Sequence, residues 1–474
     1  MKTNRLFSTV ITLVMLLTIL LTGCTPAGLN SDGNDDRTRL YISVFKAGEG
    51  TDWLEAIAAE YEKQRPDVKV VIKGDANMEG TAQAALESGN ADAVSDIFSC
   101  ISDGNFLNNV VNDRLEPLDD LYEMTVEGTE KVKDIVDPDA AISMKVNGSY
   151  YAMPWFRQAS GIIYNVKMFE QYGWKVPTTM NEYYALCDQI CRESDVYPFT
   201  FYTGSGSGYM LGFFENLMFQ YGGKTAAQEF YAAASPEVYK QEGRTEAYKA
   251  VAKMITGEGV DRNGKVKTWV QPGSYGRSHL EVQQEFIKGN CAMVLSGSWL
   301  MTEMSEFLEE FPNFEAAMMH TPWIQDSKTS LDGGTQCANM TKPTRLVIPT
   351  IAKNKEIAKD FLCFMNTAEM RKLFVEKTHG MPRPTSYDGI DISGLDTFGR
   401  SVLDVITNDF YYNGEGRNAM FNRGDLSVML AADGSIINEF KNSINLSDVA
   451  IQNIAIELVE NDYNIATEKF DLLG

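Results

Sequence analysis

Histidine is scarce: only His279, His320 and His379 occur among 474 residues. They are too scattered to form a metal site. Of the seven cysteines, six lie beyond residue 24: Cys100, Cys187, Cys191, Cys291, Cys337 and Cys363. These show no metal-ligand spacing and sit mostly in apolar company. Cys187 and Cys191 are one helical turn apart, a poor geometry for a bridge within a regular helix, so buried free thiols are expected. No metal and no other cofactor is expected. Gly204, Gly206 and Gly208 are not followed by the Lys-Ser/Thr of a phosphate-binding loop. There is no nucleophile elbow, no carboxylate pair at identifiable positions and no internal repeat, so an enzyme has no visible machinery here. Positive charge is also short. There are 42 Lys and Arg against 65 Asp and Glu, a net charge of -23 with the acids spread out. Such a chain does not bind nucleic acid or anionic lipid non-specifically.

Long apolar runs are missing too, except at the start. Lys2 and Arg5 precede an uncharged, mostly apolar stretch over residues 6–22 that ends in Leu21-Thr22-Gly23-Cys24. A small residue before cysteine at the end of such a run resembles a bacterial lipoprotein processing site. Cleavage then removes residues 1–23 and leaves a lipid on Cys24. The loss of Lys2 and Arg5 takes the net charge from -23 to -25. A retained membrane helix is the alternative, but the run is marginal in length for spanning. Residues 24–39 are polar and Gly/Asn/Asp-rich, a flexible tether. The SDGNDD run at residues 31–36 is incomplete as a calcium loop.

What is present is a globular composition, 44% hydrophobic and 23% charged. The length allows two or three domains of about 100–200 residues each. Leu40, Ile42 and Val44 alternate as in a strand. Trp53/Leu54, Ile57/Ala58 and Tyr61 recur at helical spacing, and Val68, Val70 and Ile72 alternate again. This β-α-β opening argues for a mostly parallel sheet with helices on both faces. Ligands bind such sheets beyond the carboxyl ends of strands, which puts residues 46–53, 77–80 and 99–103 at a candidate cleft edge. Glu49, Trp53 and Asp103 lie there, although the helical stripe also explains Trp53 as core.

The stretch over residues 152–187 is AMPWFRQASGIIYNVKMFEQYGWKVPTTMNEYYALC. It contains an aromatic tip with Trp155, a short strand, a helix stopped near Gly173, and a turn at Pro177 with Thr178 or Thr179 capping the next helix. Gly161, Tyr164, Asn165, Lys167, Phe169, Gly173, Pro177, Thr179 and Glu182 match the crossing segment of extracellular solute-binding proteins. A second block follows, with Phe286, Gly289, Ala292, Met293, Gly297, Ser298 and Trp299. A third includes Ile357, Ala358, Phe361, Leu362 and Met365. In this order the blocks resemble bacterial extracellular solute-binding protein family 1, the maltose-binding-protein-like carbohydrate receptors of ABC importers.

The resemblance implies an α/β, two-lobed periplasmic-binding-protein-like fold of type II, with a hinge between lobes and a ligand cleft at their interface. The boundaries it implies are 40–153 plus 320–370 for the N-terminal lobe and 154–319 plus 371–474 for the C-terminal lobe. It implies a lipid-anchored, monomeric receptor on the extracellular face of a Gram-positive-type membrane, delivering a mono- or oligosaccharide to permease subunits. A receptor for another small solute, a sensor feeding a membrane kinase and a surface carbohydrate-active enzyme are the alternatives. The candidate ligand residues are Trp299, Trp155, Tyr209 and Trp53 for stacking, Arg157, Glu49 and Asp103 for hydroxyls, and Gly334 in the loop before the strand that rejoins the first lobe. A flat indole suits the apolar face of a pyranose, and buried polar groups penalise a ligand that leaves them unpaired.

Overall fold

The computed structural model describes residues 36–46, 48–202, 208–232, 235–324, 337–340, 343–383, 385, 390–413 and 445–471. Near the N-terminus, strand β1 (Thr38–Val44) is followed by helix α1 (Asp52–Gln64) and strand β2 (Val68–Gly74). β1 and β2 pair in parallel with Leu40 opposite Val70 and Ile42 opposite Ile72, so the alternation seen in the sequence points one row of side chains into a core. Strand β3 (Ile97–Cys100) lies on the other side of β1, and helix α2 (Asp103–Val111) follows it.

The chain then reaches strand β4 (Met153–Pro154), crosses over, and enters strand β5 (Ala159–Asn165) of a second sheet. Local chemistry sets what comes next. Asn165 caps helix α3 (Val166–Tyr172) through Met168 N–H at 3.0 Å, and Gly173 ends it with a φ of 69°, a conformation that favours glycine. Thr179 and Glu182 form a reciprocal capping box on helix α4 (Met180–Glu193). Strand β6 (Tyr197–Phe201), helix α5 (Gly208–Met218), helix α6 (His279–Ile287) and strand β7 (Cys291–Gly297) continue this half. Strand β8 (Ala316–Met318) and strand β9 (Cys337–Met340) both pair with β5. Strand β10 (Arg345–Val347) rejoins the first sheet, helix α7 (Ala368–Lys377) packs on it, and helix α8 (Thr397–Asn408) and strand β11 (Phe410–Asn413) return to the second. The sheet orders are β2-β1-β3-β10-β4 and β6-β7-β5-β9-β11.

The expected boundaries need correction. β9 lies in the second sheet, not the first, and Met370, Phe374, Val375 and Met381 share a core with Leu40 and Ile42 of the first. Trp155 and Phe156 belong to that core as well. The crossing segments are laced to one another by their backbones. Trp155 N–H donates to Thr344 O at 2.9 Å, Thr344 N–H to Phe156 O at 2.8 Å, and Arg157 N–H to Pro382 O at 2.8 Å. These hydrogen bonds join stretches far apart in sequence, which is why residue patterns misplaced the joints by a few tens of positions. Residues 257–276 include a hairpin, and Trp269 just after it stacks on Tyr184 at 5.7 Å with Gly257 pressed against its ring.

The five cysteines whose side chains are described are buried and unbridged, and burial pushes the Cys191 and Cys363 thiols up to about 11. His320, two residues after β8, places Nδ1 2.7 Å from Asp409 and Nε2 3.0 Å from Asp404. These carboxylates raise the imidazole from 6.5 to about 9. Because the folded form holds the proton more tightly, the stabilisation is complete below pH 6.5 and is lost as pH rises through 9. The side chain is a third exposed, so we expect about 1–2 kcal/mol after solvent screening. In urea denaturation, His320→Gln should flatten the decline that the parent protein shows across that window.

Candidate functional site

β7 is buried along its whole length and ends at Gly297. Ser298 then ties the turn to the crossing strand. Its N–H donates to Ala159 O at 2.8 Å, and its Oγ accepts from Ala159 N–H at 3.1 Å. A Cβ on Gly297 would come within 2.0 Å of the Trp299 ring, so glycine is what lets the indole fold back over the strand end. The Gly-Ser-Trp run is therefore a device for holding one ring at one place.

That place is the junction of the two lobes. The loop leaving β1 meets the turn leaving β7, so the carboxyl ends of strands from both sheets converge, as in ligand sites of open α/β sheets. A Cβ on Gly48 would lie 2.6 Å from Trp299 Cβ, and one on Gly50 would lie 3.4 Å from Thr302 Cγ2. Trp299 is 6% exposed and packs with the core of the first lobe although it sits on the second. Tyr209, at the start of α5, places its ring 5.0 Å from the indole, tilted by 45°, and Tyr202 follows at 6.2 Å from Tyr209.

Carboxylates supply the polar side. Glu49 is 4% exposed, and its Oε2 has no hydrogen-bond partner among the described residues. Burial, with Glu303 nearby, pushes this carboxyl up to about 7. Glu303 lies four residues beyond Trp299 on the short helix Leu300–Glu303. Its Oε2 accepts from Gln283 Nε2 at 2.7 Å, and its Oε1 is 3.6 Å from His279 Nε2. Burial and the same Glu303 hold the Tyr209 hydroxyl above its ordinary range. The folded protein binds the Glu49 proton more tightly than the unfolded chain, so this group stabilises below pH 4.5, and that contribution is lost as pH rises to about 7. The difference is on the order of 3 kcal/mol. Glu49→Gln should remove that slope in urea melts taken across the window, and a slope unchanged from the parent would contradict the assignment.

The structure brings together three of the candidates read from sequence: Trp299, Tyr209 and Glu49. It places Trp155 and Trp53 elsewhere, as a correction to their expected stacking role. Trp155 is fully buried, 5.6 Å from Trp53 in a stacked pair, with the Arg383 guanidinium 3.5 Å over its ring and Phe374 at 5.3 Å. Trp53 lies edge-on to Phe374 at 5.1 Å. Both indoles are occupied as core behind the crossing segments. Arg157 is buried at the same joint, with Nη2 3.8 Å from Asp137. Asp103 is the first residue of α2, and its side chain lies outside those described; Gly334 lies outside the described residues. Sequence reasoning missed Tyr202, His279, Gln283 and Glu303. The four-residue step from Trp299 to Glu303 was a usable signal, because it stacks two side chains on one helical face.

A separate groove of about 840 Å³ is lined by Lys167, Met301, Phe314, Glu315, Asp396 and Arg400. Its polar groups already satisfy one another, with Lys167 2.5 Å from Glu315 and Arg400 donating to Leu395 O. The junction at Trp299 is the better candidate because its acceptors are buried and open.

A family model described as bacterial extracellular solute-binding protein matches residues 47–372. The multiple sugar-binding protein of Streptococcus mutans is 23% identical over 371 residues, covering 76% of this chain and 79% of that one. The diacetylchitobiose-binding protein NgcE of Streptomyces coelicolor is 27% identical over 153 residues, 32% of each chain. Among solved structures, RafE from Streptococcus pneumoniae superposes with a TM-score of 0.64 at 19% identity, over 93% of this chain and 100% of that one. AcbH, a bacterial solute receptor with a preference for β-D-galactopyranose, gives a TM-score of 0.66 at 16% identity, over 92% and 99%. These structural likenesses establish the two-lobed type II fold. Among the described residues no helix is long and apolar enough to cross a membrane.

Proposed function

The chain belongs to the bacterial extracellular solute-binding proteins, and on that premise we propose that it is a receptor that holds a carbohydrate between its lobes and hands it to an ABC importer. The observation that carries this reading is the junction itself. An indole and a phenol from the second lobe lie against the first-lobe loop that carries the buried Glu49, where strand ends of both sheets converge. A pyranose offers apolar C–H faces to the rings and a rim of hydroxyls to the acids, so it matches both. Separating the lobes at the Gly48–Trp299 contact uncovers the indole, and the laced crossing segments are where the chain bends. The chemistry proposed is capture and release, with no bond made or broken. Trp299, Tyr209 and Glu49 are the contact residues.

We further propose that Cys24 carries the lipid that keeps the receptor, as a monomer, on the outer face of the cytoplasmic membrane of a Gram-positive-type cell. The Gly23-Cys24 ending supports this. A thermal-shift screen against mono- and oligosaccharides tests the main reading. A sugar at 100 times its dissociation constant should add about 2.7 kcal/mol of stability. The same panel should release no reducing ends. Stabilisation by amino acids or polyamines alone would contradict a carbohydrate receptor, and release of reducing ends would make it an enzyme.

A further inference from the structure

The open hydrogen-bonding atoms at the Trp299 junction are biased toward acceptors. Glu49 Oε2 is buried without a partner among the described residues. Gln283 is 1% exposed and spends its amide N–H on Glu303, which leaves its buried Oε1 without a partner among those residues. Glu303 is 12% exposed, and among the described residues neither it nor Glu49 pairs with a lysine or arginine. Among the described residues, the one basic side chain paired with either acid is His279, on Glu303. Lys46, on the same loop as Glu49, packs its side chain along Gly74. Glu49 sits between Gly48, which faces Trp299, and Gly50, which faces Thr302, so its loop abuts the turn that carries Glu303. Carboxylates in such a place lose hydration, a cost that a compact cation relieves.

We propose that the junction selects carbohydrates bearing a protonated amine, that is, amino sugars, with Glu49 and Glu303 receiving the ammonium; this rests on the carbohydrate-receptor reading above. An ammonium brings three donors and a charge to a set of acceptors, whereas a hydroxyl brings one donor and no charge. Trp299 and Tyr209 favour the same group, because a cation is attracted to an aromatic face. Occupation by an ammonium also favours ionised Glu49, so binding below about pH 7 expels a proton from that carboxyl.

Titration calorimetry of the intact protein against matched series tests this. The series are β-1,4-linked glucosamine oligomers, their N-acetylated forms and the corresponding glucose oligomers, each run near pH 6 in two buffers of different ionisation enthalpy. The amine member should bind at least about tenfold tighter than its hydroxyl and acetamide counterparts. Its binding should release up to one proton, which the neutral members do not. Glu303→Gln and Glu49→Gln, checked for folding by thermal melts, should bring the amine-to-hydroxyl ratio to within about threefold. Equal or tighter binding of a neutral member would overturn the amine selectivity while leaving the receptor reading in place. Binding of no saccharide in any series would overturn both.

Discussion

Replacing Trp155 by alanine is expected to remove about 3–5 kcal/mol of folding stability, the range for deleting a large buried aromatic. The ring is fully buried and contacts Trp53, Phe374 and Arg383, and its backbone is one of the rungs that join the crossing segments. Alanine leaves a cavity behind all of them, and it leaves a buried guanidinium without the aromatic face it lies on. Trp155→Phe should recover much of the loss. Equilibrium urea unfolding measures both. A loss below about 1 kcal/mol, the size typical of surface changes, would mean that Trp155 is displayed to solvent or ligand after all.

Trp299→Ala is expected to act differently. Its main effect should be on sugar affinity, a loss of about 1–3 kcal/mol, or roughly five- to 150-fold in dissociation constant. Trp299→Phe keeps a flat apolar face and should fall between. Some stability will be lost as well, because the ring packs on Gly48 and Gly297. The affinity must therefore be read by calorimetry at a temperature where the variant is folded. An unchanged affinity would remove the indole from the binding surface.

These two tryptophans carry the same side chain, yet their surroundings are legible in the sequence to different degrees. Trp299 is legible because its neighbours are local. Gly297 clears space for the ring and Ser298 anchors the turn to β5, so the run of three residues contains most of its own explanation. Trp155 is not legible because its surroundings come from far along the chain; the Arg383 side chain that lies on it is 228 residues away and also donates to its carbonyl. The caps follow the same rule. Asn165, Gly173 and the Thr179–Glu182 box act within four residues of themselves and were readable. The lobe boundaries depend on which of two sheets a short strand joins. β9 and β10 are separated by only a few residues and go to different sheets, so periodicity alone cannot assign them. Likewise, Glu49 is an ordinary acid in the sequence; only the fold buries it and sets its loop against the turn of Trp299.

The most direct test is a crystal structure with the tightest-binding sugar from the screen. One sugar ring is expected to lie flat on the Trp299 indole, between the loop that carries Glu49 and the turn that carries Glu303, with a carboxylate from each lobe on its polar edge. A sugar held by one lobe alone, or seated in the groove beside Lys167 and Arg400 while Trp299 stays pressed against Gly48, would contradict it.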